Sequence, residues 1–252
     1  MTETFNSDGV ELAYDDLGDG EPVVLVHGFA SSRQGTWAET GWYDELAEAG
    51  RRVVALDCRG HGDSDKPHDP AAYGHATMAS DVVALLDHLE VDRADLMGYS
   101  MGGWVTLHLL VDHADRVNAA VAAGVGESLL GEQVNREAIA AALEAEDTGD
   151  IEDQTGREFR LFAEQQGNDL RALAALQRAR EPAFGTGRLD GVSAPVLVVA
   201  GENDELVGDP GPLADVIPGA DSFAVPNADH LTATGATAYK ERARDFFDRE
   251  GL

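Results

Sequence analysis

The segment 98–103, Gly-Tyr-Ser-Met-Gly-Gly, places a serine between two glycines that lie two positions before and after it. A short, partly apolar segment precedes it, and a run of mostly apolar residues typical of a helix follows it. A chain that turns sharply from strand to helix strains its central residue, and glycines remove the Cβ atoms that would collide there. The serine hydroxyl then stands clear of the sheet, beside the positive end of a helix. We therefore interpret Ser100 as a candidate nucleophile, although a glycine-rich turn without function can show the same pattern.

An imidazole and a carboxylate that suit this serine follow two later strand-like segments. His230 comes after the segment 222–225, and Asp204 comes shortly after the apolar run 195–200. A serine hydroxyl is a poor nucleophile until a base takes its proton, which an imidazole with a pKa of about 7 can do. A carboxylate fixes the tautomer of that imidazole and stabilises its charged form. The other histidines are expected to hold loop geometry or to lie on helices and the surface: His27, His61, His68, His75, His88, His108 and His113.

The elements that must position these residues alternate between short apolar runs and helix-length segments. Apolar and polar residues do not alternate in these runs, and this absence of alternation is typical of parallel strands covered on both faces. The apolar runs are residues 22–27, 52–57, 94–97, 119–125 and 195–200. Residues 11–15 suit a strand at an antiparallel edge of the sheet. Apolar stripes predict a helix around residues 78–89 and another over 239–249. The pattern predicts an α/β fold with a mostly parallel, doubly wound sheet.

One region, residues 127–189, interrupts this alternation because it contains no convincing strand. Three helix-like stretches, 134–146, 157–166 and 170–180, are separated by glycines. We interpret the region as a helical cap over the carboxyl edge of the sheet, where open α/β folds bind ligands. Residues 1–126 and 190–252 would then form the core domain. Helices packed at the periphery are the alternative interpretation.

The chain resembles the α/β-hydrolase family over nearly its whole length. The order Ser100, Asp204, His230 is the order of the family's catalytic triad. Residues 27–29, His-Gly-Phe, look like its oxyanion loop, and residues 57–64 look like its Asp-x-Arg-Gly-x-Gly-x-Ser segment. The resemblance implies a helical-cap α/β-hydrolase fold and an oxyanion hole formed by the backbone N–H groups of Phe29 and Met101. Some members carry the acid after the preceding strand, where this chain has Glu127, but Gly-x-x-Asp as at Asp204 is commoner.

The resemblance also narrows the reaction. A serine at position 100 argues against relatives with an aspartate nucleophile. A hydroxynitrile lyase of this fold would be expected to bring a lysine into the site, but the two lysines, Lys66 and Lys240, lie outside the segments expected there. Ester or lactone hydrolysis by a carboxylesterase-type enzyme is the leading class. Hydrolysis of a carbon–carbon bond, cofactor-free peroxidation and slow-turnover ligand reception remain alternatives. For the carbon–carbon reaction, arginines of the predicted cap would hold a substrate acid: Arg136, Arg157, Arg160, Arg171, Arg178 and Arg180.

The expected pocket is apolar and suits a modest acyl or alcohol group. Its predicted lining combines residues beside the nucleophile with residues of the cap: Phe29, Tyr99, Met101, Leu129, Leu130, Phe159 and Phe162.

The amino-acid composition limits the kinds of partner that the protein can bind. Acidic residues outnumber basic ones by 47 to 18, giving a formal net charge of −29, which argues against nucleic acid and anionic membrane surfaces. An acid-rich, lysine-poor chain indicates adaptation to concentrated salt. The Debye length falls to about 3 Å at 1 M, so the repulsion between carboxylates is largely screened there. A GC-rich genome, in which arginine replaces lysine, is the other explanation.

The remaining expectations concern cofactors and location. Cys58 is the only cysteine, and the chain lacks the usual metal and nucleotide motifs, so we expect neither metal nor cofactor. The N-terminal residues show no signal-peptide pattern, and no apolar stretch approaches the roughly 18 residues of a membrane span. We expect a cytoplasmic monomer or homodimer that acts on a small-molecule ester.

Overall fold

The computed structural model describes residues 2–131 and 135–250, and its strands form one eight-stranded sheet. In chain order the strands are β1 (Thr2–Ser7), β2 (Val10–Leu17), β3 (Pro22–Val26), β4 (Arg52–Leu56), β5 (Ala94–Tyr99), β6 (Val117–Ala123), β7 (Val196–Gly201) and β8 (Asp221–Val225). Their order across the sheet is β1-β2-β4-β3-β5-β6-β7-β8. The pairs β1–β2 and β2–β4 are antiparallel, and every other neighbouring pair is parallel. The predicted α/β class and mostly parallel sheet are confirmed.

Both faces of the sheet are covered by helices. These are α1 (Trp42–Glu48), α2 (His75–His88), α3 (Met101–Asp112), α4 (Arg136–Glu144), α5 (Gln154–Gln165), α6 (Leu170–Gln177), α7 (Gly211–Asp215) and α8 (Thr237–Glu250). Val23 and Leu25 of β3 pack in the cluster that contains residues of α1 and α8, whereas Val24 and Val26 pack with α2 and α3. Burial on both sides explains why the strand sequences are continuous apolar runs. None of the described helices is long and apolar enough to cross a membrane.

The N-terminal strand is the element that sequence patterns missed. β1 pairs with β2 from Thr2 opposite Asp15 to Ser7 opposite Val10, so the predicted strand over 11–15 is second from the edge. Only Phe5 and Ser7 of β1 are buried. Two inward side chains in a polar segment give a weak period-two signal, which is why the strand was not predicted.

Three helices follow β6, as predicted, but their ends differ. The carboxylates of Asp153 and Asp169 accept hydrogen bonds from backbone N–H groups of the first turns of α5 and α6, so α5 starts three residues before the predicted 157. Helix α6 ends at Gln177, ahead of the predicted 180, and Pro182 follows closely. The predicted first residue of α4, Val134, lies outside the described residues.

These helices pack on one another and over the carboxyl edge of the sheet. The ring of Phe159 on α5 meets Phe29, which follows β3, at 5.4 Å between centroids. The side-chain amide of Asn168 donates to the carbonyl oxygen of Ala30 at 2.7 Å. The region therefore sits above the loops that follow the strands. Its treatment as a separate cap with limits 127–189 stays a prediction.

Candidate active site

Ser100 lies at the turn between β5 and α3 in a conformation that few non-glycine residues adopt. Its φ is 55° and its ψ is −111°, and its N–H donates to the carbonyl oxygen of Ala123 at 2.8 Å. A Cβ atom on Gly98 would lie 2.0 Å from the carbonyl oxygen of Gly102, and one on Gly102 would lie 2.0 Å from that of Val26. Both glycines are therefore needed for the close approach of strand and helix. The turn therefore holds the candidate nucleophile in a strained backbone conformation.

His230 connects the serine to the carboxylate. Its Nε2 lies 3.0 Å from the Oγ of Ser100, and its Nδ1 lies 2.7 Å from the Oδ2 of Asp204. The hydroxyl of Tyr99 donates to the backbone carbonyl oxygen of His230 at 2.6 Å and holds the loop that carries it. The structure thus brings together three side chains that the sequence placed on separate loops. Their order, nucleophile to base to acid, is the geometry that activates a serine.

Asp204 is buried, and both of its carboxylate oxygens accept hydrogen bonds. Its Oδ1 accepts hydrogen bonds from the N–H groups of Leu206 and Val207 at 3.1 and 3.2 Å, which leaves Oδ2 for His230. The alternative acid, Glu127, is exposed, and its side chain lies beside Gly208. The geometry at His230 therefore involves Asp204 and not Glu127.

Two backbone N–H groups are available beside Ser100 for an oxyanion. Met101 is the first residue of α3, so its N–H has no acceptor within the helix. Among residues 2–131 and 135–250, neither this N–H nor that of Phe29 donates a hydrogen bond to a protein acceptor. Their role in an oxyanion hole stays a prediction.

The loop that carries Phe29 is held by buried histidines. Ala30 has a φ of 58°, and its N–H donates to the Nε2 of His61 at 3.1 Å. The N–H of Cys58 donates to the Nε2 of His27 at 3.0 Å. Burial lowers the pKa of His61 to about 3, so its ring is neutral and can accept this bond. These contacts agree with the expectation that His27 and His61 hold loop geometry.

Two cavities meet at Ser100. The first has a volume of about 530 Å³ and is lined by residues that include Phe29, Tyr99, Phe159, Phe162 and His230. The four aromatic residues in this group were all predicted for the pocket.

The second cavity, of about 480 Å³, extends from Ser100 and Met101 under the helices that follow β6. Its lining includes Trp104, the ring pair His75 and His108, and Glu181. Sequence reasoning missed these residues as cavity residues, because nothing in their spacing indicates that α2, α3 and the segment after α6 converge.

Two predicted pocket residues, Leu129 and Leu130, do not line either cavity. The segment Glu127–Leu130 forms a short 3₁₀ turn, with the N–H of Ser128 bonded to the carbonyl oxygen of Val207 at 3.1 Å. This turn buries Leu129 in the core and leaves Leu130 42% exposed, beside a separate surface depression. The prediction that these two residues line the pocket at Ser100 is therefore wrong.

Four basic residues considered at the site, two arginines and two lysines, differ in their position relative to the two cavities. Arg136 lines the second cavity, but its guanidinium donates to the carbonyl oxygen of Leu176 and lies 4.0 Å from the Oε1 of Glu181. The guanidinium of Arg160 donates to backbone carbonyl oxygens in the last turn of α4 and just after it, and to the carboxylate of Glu164. Neither Lys66 nor Lys240 lines either cavity at Ser100.

Comparison with known proteins agrees with this geometry. Residues 21–176 match the family described as the alpha/beta hydrolase fold. The chain belongs to this family. It is also 30% identical over 224 residues to a protein of Bacillus subtilis (strain 168) named as a candidate 2-succinyl-6-hydroxy-2,4-cyclohexadiene-1-carboxylate synthase, covering 79% of this chain and 80% of that protein.

Solved structures of similar size share the fold. Est816, described as an N-acyl homoserine lactone degrading enzyme, superposes with a TM-score of 0.77 at 28% identity, covering 97% of this chain and all of the other. A thermophilic esterase from Thermogutta terrifontis superposes with a TM-score of 0.77 at 25% identity, covering both chains completely. This α/β hydrolase is therefore similar to proteins that act on ester and lactone bonds.

Proposed function

We propose that this α/β hydrolase cleaves carboxylic esters, including lactones, through an acyl-enzyme formed on Ser100. The observation that carries the proposal is the position of His230, hydrogen-bonded to Ser100 through Nε2 and to Asp204 through Nδ1. This arrangement supplies a nucleophile, a general base and an orienting carboxylate in one hydrogen-bonded chain.

In the first step, the Oγ of Ser100 attacks the ester carbonyl carbon while Nε2 of His230 takes the hydroxyl proton. Asp204 keeps the other ring proton on Nδ1 and stabilises the imidazolium that forms. The carbonyl oxygen becomes negative and accepts hydrogen bonds from the N–H groups of Phe29 and Met101. Each such donor contributes about 10²–10³ in rate in other enzymes.

In the second step, the tetrahedral intermediate collapses, and the imidazolium gives its proton to the leaving alcohol. Water then attacks the acyl-enzyme with His230 again as the base, which releases the acid and restores Ser100. For a lactone, the leaving alcohol stays attached to the acyl group, so the product is a single hydroxy acid.

The presence of two cavities at Ser100 supports an ester substrate, which has an acyl group and an alcohol group to accommodate. Because both cavities include Ser100 in their lining, one can hold the acyl group and the other the alcohol group. Aromatic side chains line both, including Phe29 and Phe159, and favour apolar groups of modest size. Arg136 is the arginine of the second cavity, and Glu181 offsets its charge. A site for the free acid of a carbon–carbon hydrolase substrate is therefore less well supported than an ester site.

The test combines labelling with turnover. Wild-type protein should react with a fluorescent fluorophosphonate and hydrolyse p-nitrophenyl esters steadily, whereas Ser100→Ala should do neither while keeping the same melting temperature within a few degrees. The matched control is Ser128→Ala, a second serine in the lining of the second cavity, which should retain labelling. Labelling of Ser100→Ala to the wild-type extent would reject Ser100 as nucleophile.

The same experiment separates the alternatives. Labelling without turnover on any ester or lactone would favour a slow-turnover receptor. Turnover of a ring-fission diketone at rates far above those of esters would favour the carbon–carbon reaction.

A further inference from the structure

A cluster of two imidazoles and a carboxylate lies at the end of the second cavity, and the proposed ester chemistry does not use it. His75 begins α2, His108 lies on α3, and Glu181 follows α6. One ligand atom from each of the three lies within 4.8 Å of the other two. We propose that His75, His108 and Glu181 bind a divalent transition-metal ion such as Zn²⁺. This proposal does not depend on the ester hydrolase function.

The donor set fits such an ion. Two imidazole nitrogens and one carboxylate oxygen form a His₂Glu set, which binds Zn²⁺ with a fourth position open. Donor atoms on one tetrahedral zinc are about 3.3 Å apart when each bond is about 2 Å long. The Nδ1 of His75 and the Oε2 of Glu181 are already 2.9 Å apart. All three donor atoms lie within 4.8 Å of one another, so small side-chain movements bring them to the spacing that a tetrahedral ion requires.

A second carboxylate orients His108 for this role. The Nδ1–H of His108 donates to the Oδ2 of Asp112 at 3.2 Å, and Arg188 pairs with the other oxygen of Asp112. A carboxylate on one ring nitrogen is the usual arrangement behind a metal-bound histidine, since it leaves Nε2 with a lone pair.

Two groups compete with the ion. The Nδ1–H of His75 donates to Glu181, so an ion at this position requires the proton of His75 to move to Nε2. The guanidinium of Arg136 lies 4.0 Å from the Oε1 of Glu181 and repels a cation. Arg136→Gln should therefore bind the ion more tightly than the wild type, which a hydrogen-bonded cluster without metal affinity would not show.

Titration calorimetry of the chelator-treated full chain with Zn²⁺ is the primary test. We expect one site in the wild type. Replacement of a ligand, in His75→Gln, His108→Gln or Glu181→Gln, should weaken binding by more than about 100-fold, and Asp112→Asn by about 10-fold. The control is His68→Gln, because His68 forms a comparable but more exposed pair with Asp169, and it should leave this site unchanged.

Tryptophan fluorescence locates the ion without altering a ligand. The ring of Trp104 stacks on that of His75 at 5.5 Å, while Trp37 and Trp42 are buried in the cluster on the other face of the sheet. Stoichiometric Cu²⁺ should quench emission in the wild type, and the quenching should disappear in Trp104→Phe although calorimetry still shows the site.

Three outcomes would overturn the proposal. They are no Zn²⁺ binding by the wild type, a site that survives unchanged in a folded His75→Gln/His108→Gln double variant, and loss of binding in His68→Gln alone. If the double variant fails to fold, unchanged affinity in Arg136→Gln together with quenching that persists in Trp104→Phe rejects the site equally well.

Discussion

The Nε2 atom of His230 lies 3.0 Å from the Oγ of Ser100, although 130 residues separate the two in the chain. Parallel strands explain this proximity, because β5 and β8 both end at the same edge of the sheet. The loop that follows each strand therefore delivers its side chain to a common site. The strained turn at Ser100 then points the hydroxyl toward the imidazole.

Replacing Asp204 tests whether this imidazole needs an orienting carboxylate. Asp204→Asn should lower kcat by up to about 10⁴, because the amide favours the wrong tautomer and cannot stabilise the imidazolium. KM for the same ester should change much less. Steady-state kinetics on a p-nitrophenyl ester give both values.

Glu127→Gln is the matched control, since Glu127 is the other candidate acid but lies beside Gly208. Its kcat should stay within a few-fold of the wild type. A larger loss in Glu127→Gln than in Asp204→Asn would reverse the assignment.

The lining of the first cavity predicts which substitutions alter substrate preference. Phe162 lines this cavity, whereas its neighbour Leu161 on α5 is 50% exposed. Phe162→Ala should enlarge the cavity and shift the ratio of kcat/KM for long over short esters by roughly 10-fold or more, as apolar pockets commonly do. A chain-length series of p-nitrophenyl esters measures the ratio.

Leu161→Ala and Leu130→Ala should leave that ratio unchanged, because neither side chain lines a cavity at Ser100. A shift caused by Leu130→Ala equal to that of Phe162→Ala would mean that the short turn after β6 rearranges when substrate binds.

How far the sequence predicted this site depends on how local each signal is. Gly98 and Gly102 flank Ser100 in the sequence itself, so the turn could be predicted from one short segment. Apolar runs likewise located five of the eight strands, β3 to β7, within a few residues. The second cavity could not be predicted, because Trp104 and Glu181 come together only when separate helices pack. Leu129 was misplaced for the same reason, since the direction of a turn depends on its backbone bonds to distant residues.

The buried His61 predicts a specific loss of stability in acid. Its ordinary pKa is 6.5, and burial lowers the folded-state value to about 3. Between these values the unfolded chain binds a proton that the folded chain does not, so stability falls as the pH drops from 6.5 toward 3. One such proton changes the free energy of unfolding by up to about 1.4 kcal/mol per pH unit.

His61→Gln keeps an acceptor for the N–H of Ala30 but has no titratable group. We expect it to be less stable at pH 7, with a shallower dependence of the unfolding free energy on pH below 6.5. Urea unfolding at several pH values measures this slope. His88→Gln, at an exposed histidine, should retain the wild-type slope; equal slopes in all three proteins would show that His61 does not carry this effect.

The acidic surface predicts that salt stabilises the fold. The net charge is −29, and the buried carboxylates among the described residues each contact an arginine or a histidine: Asp15, Asp57, Asp81, Asp95 and Asp204. Mutual repulsion therefore comes mainly from exposed carboxylates, which water and ions reach. The Debye length falls from about 10 Å at 0.1 M to about 3 Å at 1 M, so added salt should weaken this repulsion.

Melting temperatures measured from low salt to 2 M KCl should rise, and NaCl should match KCl at equal ionic strength if screening is the cause. The ester hydrolysis rate, measured in parallel, should rise where the unfolded fraction falls. A divalent salt should reach the same melting temperature at a lower concentration. A flat or falling melting temperature would indicate that the acidic composition is not an adaptation to salt. The proposed roles of Ser100, His230 and Asp204 would be unaffected, because they depend on contacts between buried or half-buried side chains rather than on the surface charge.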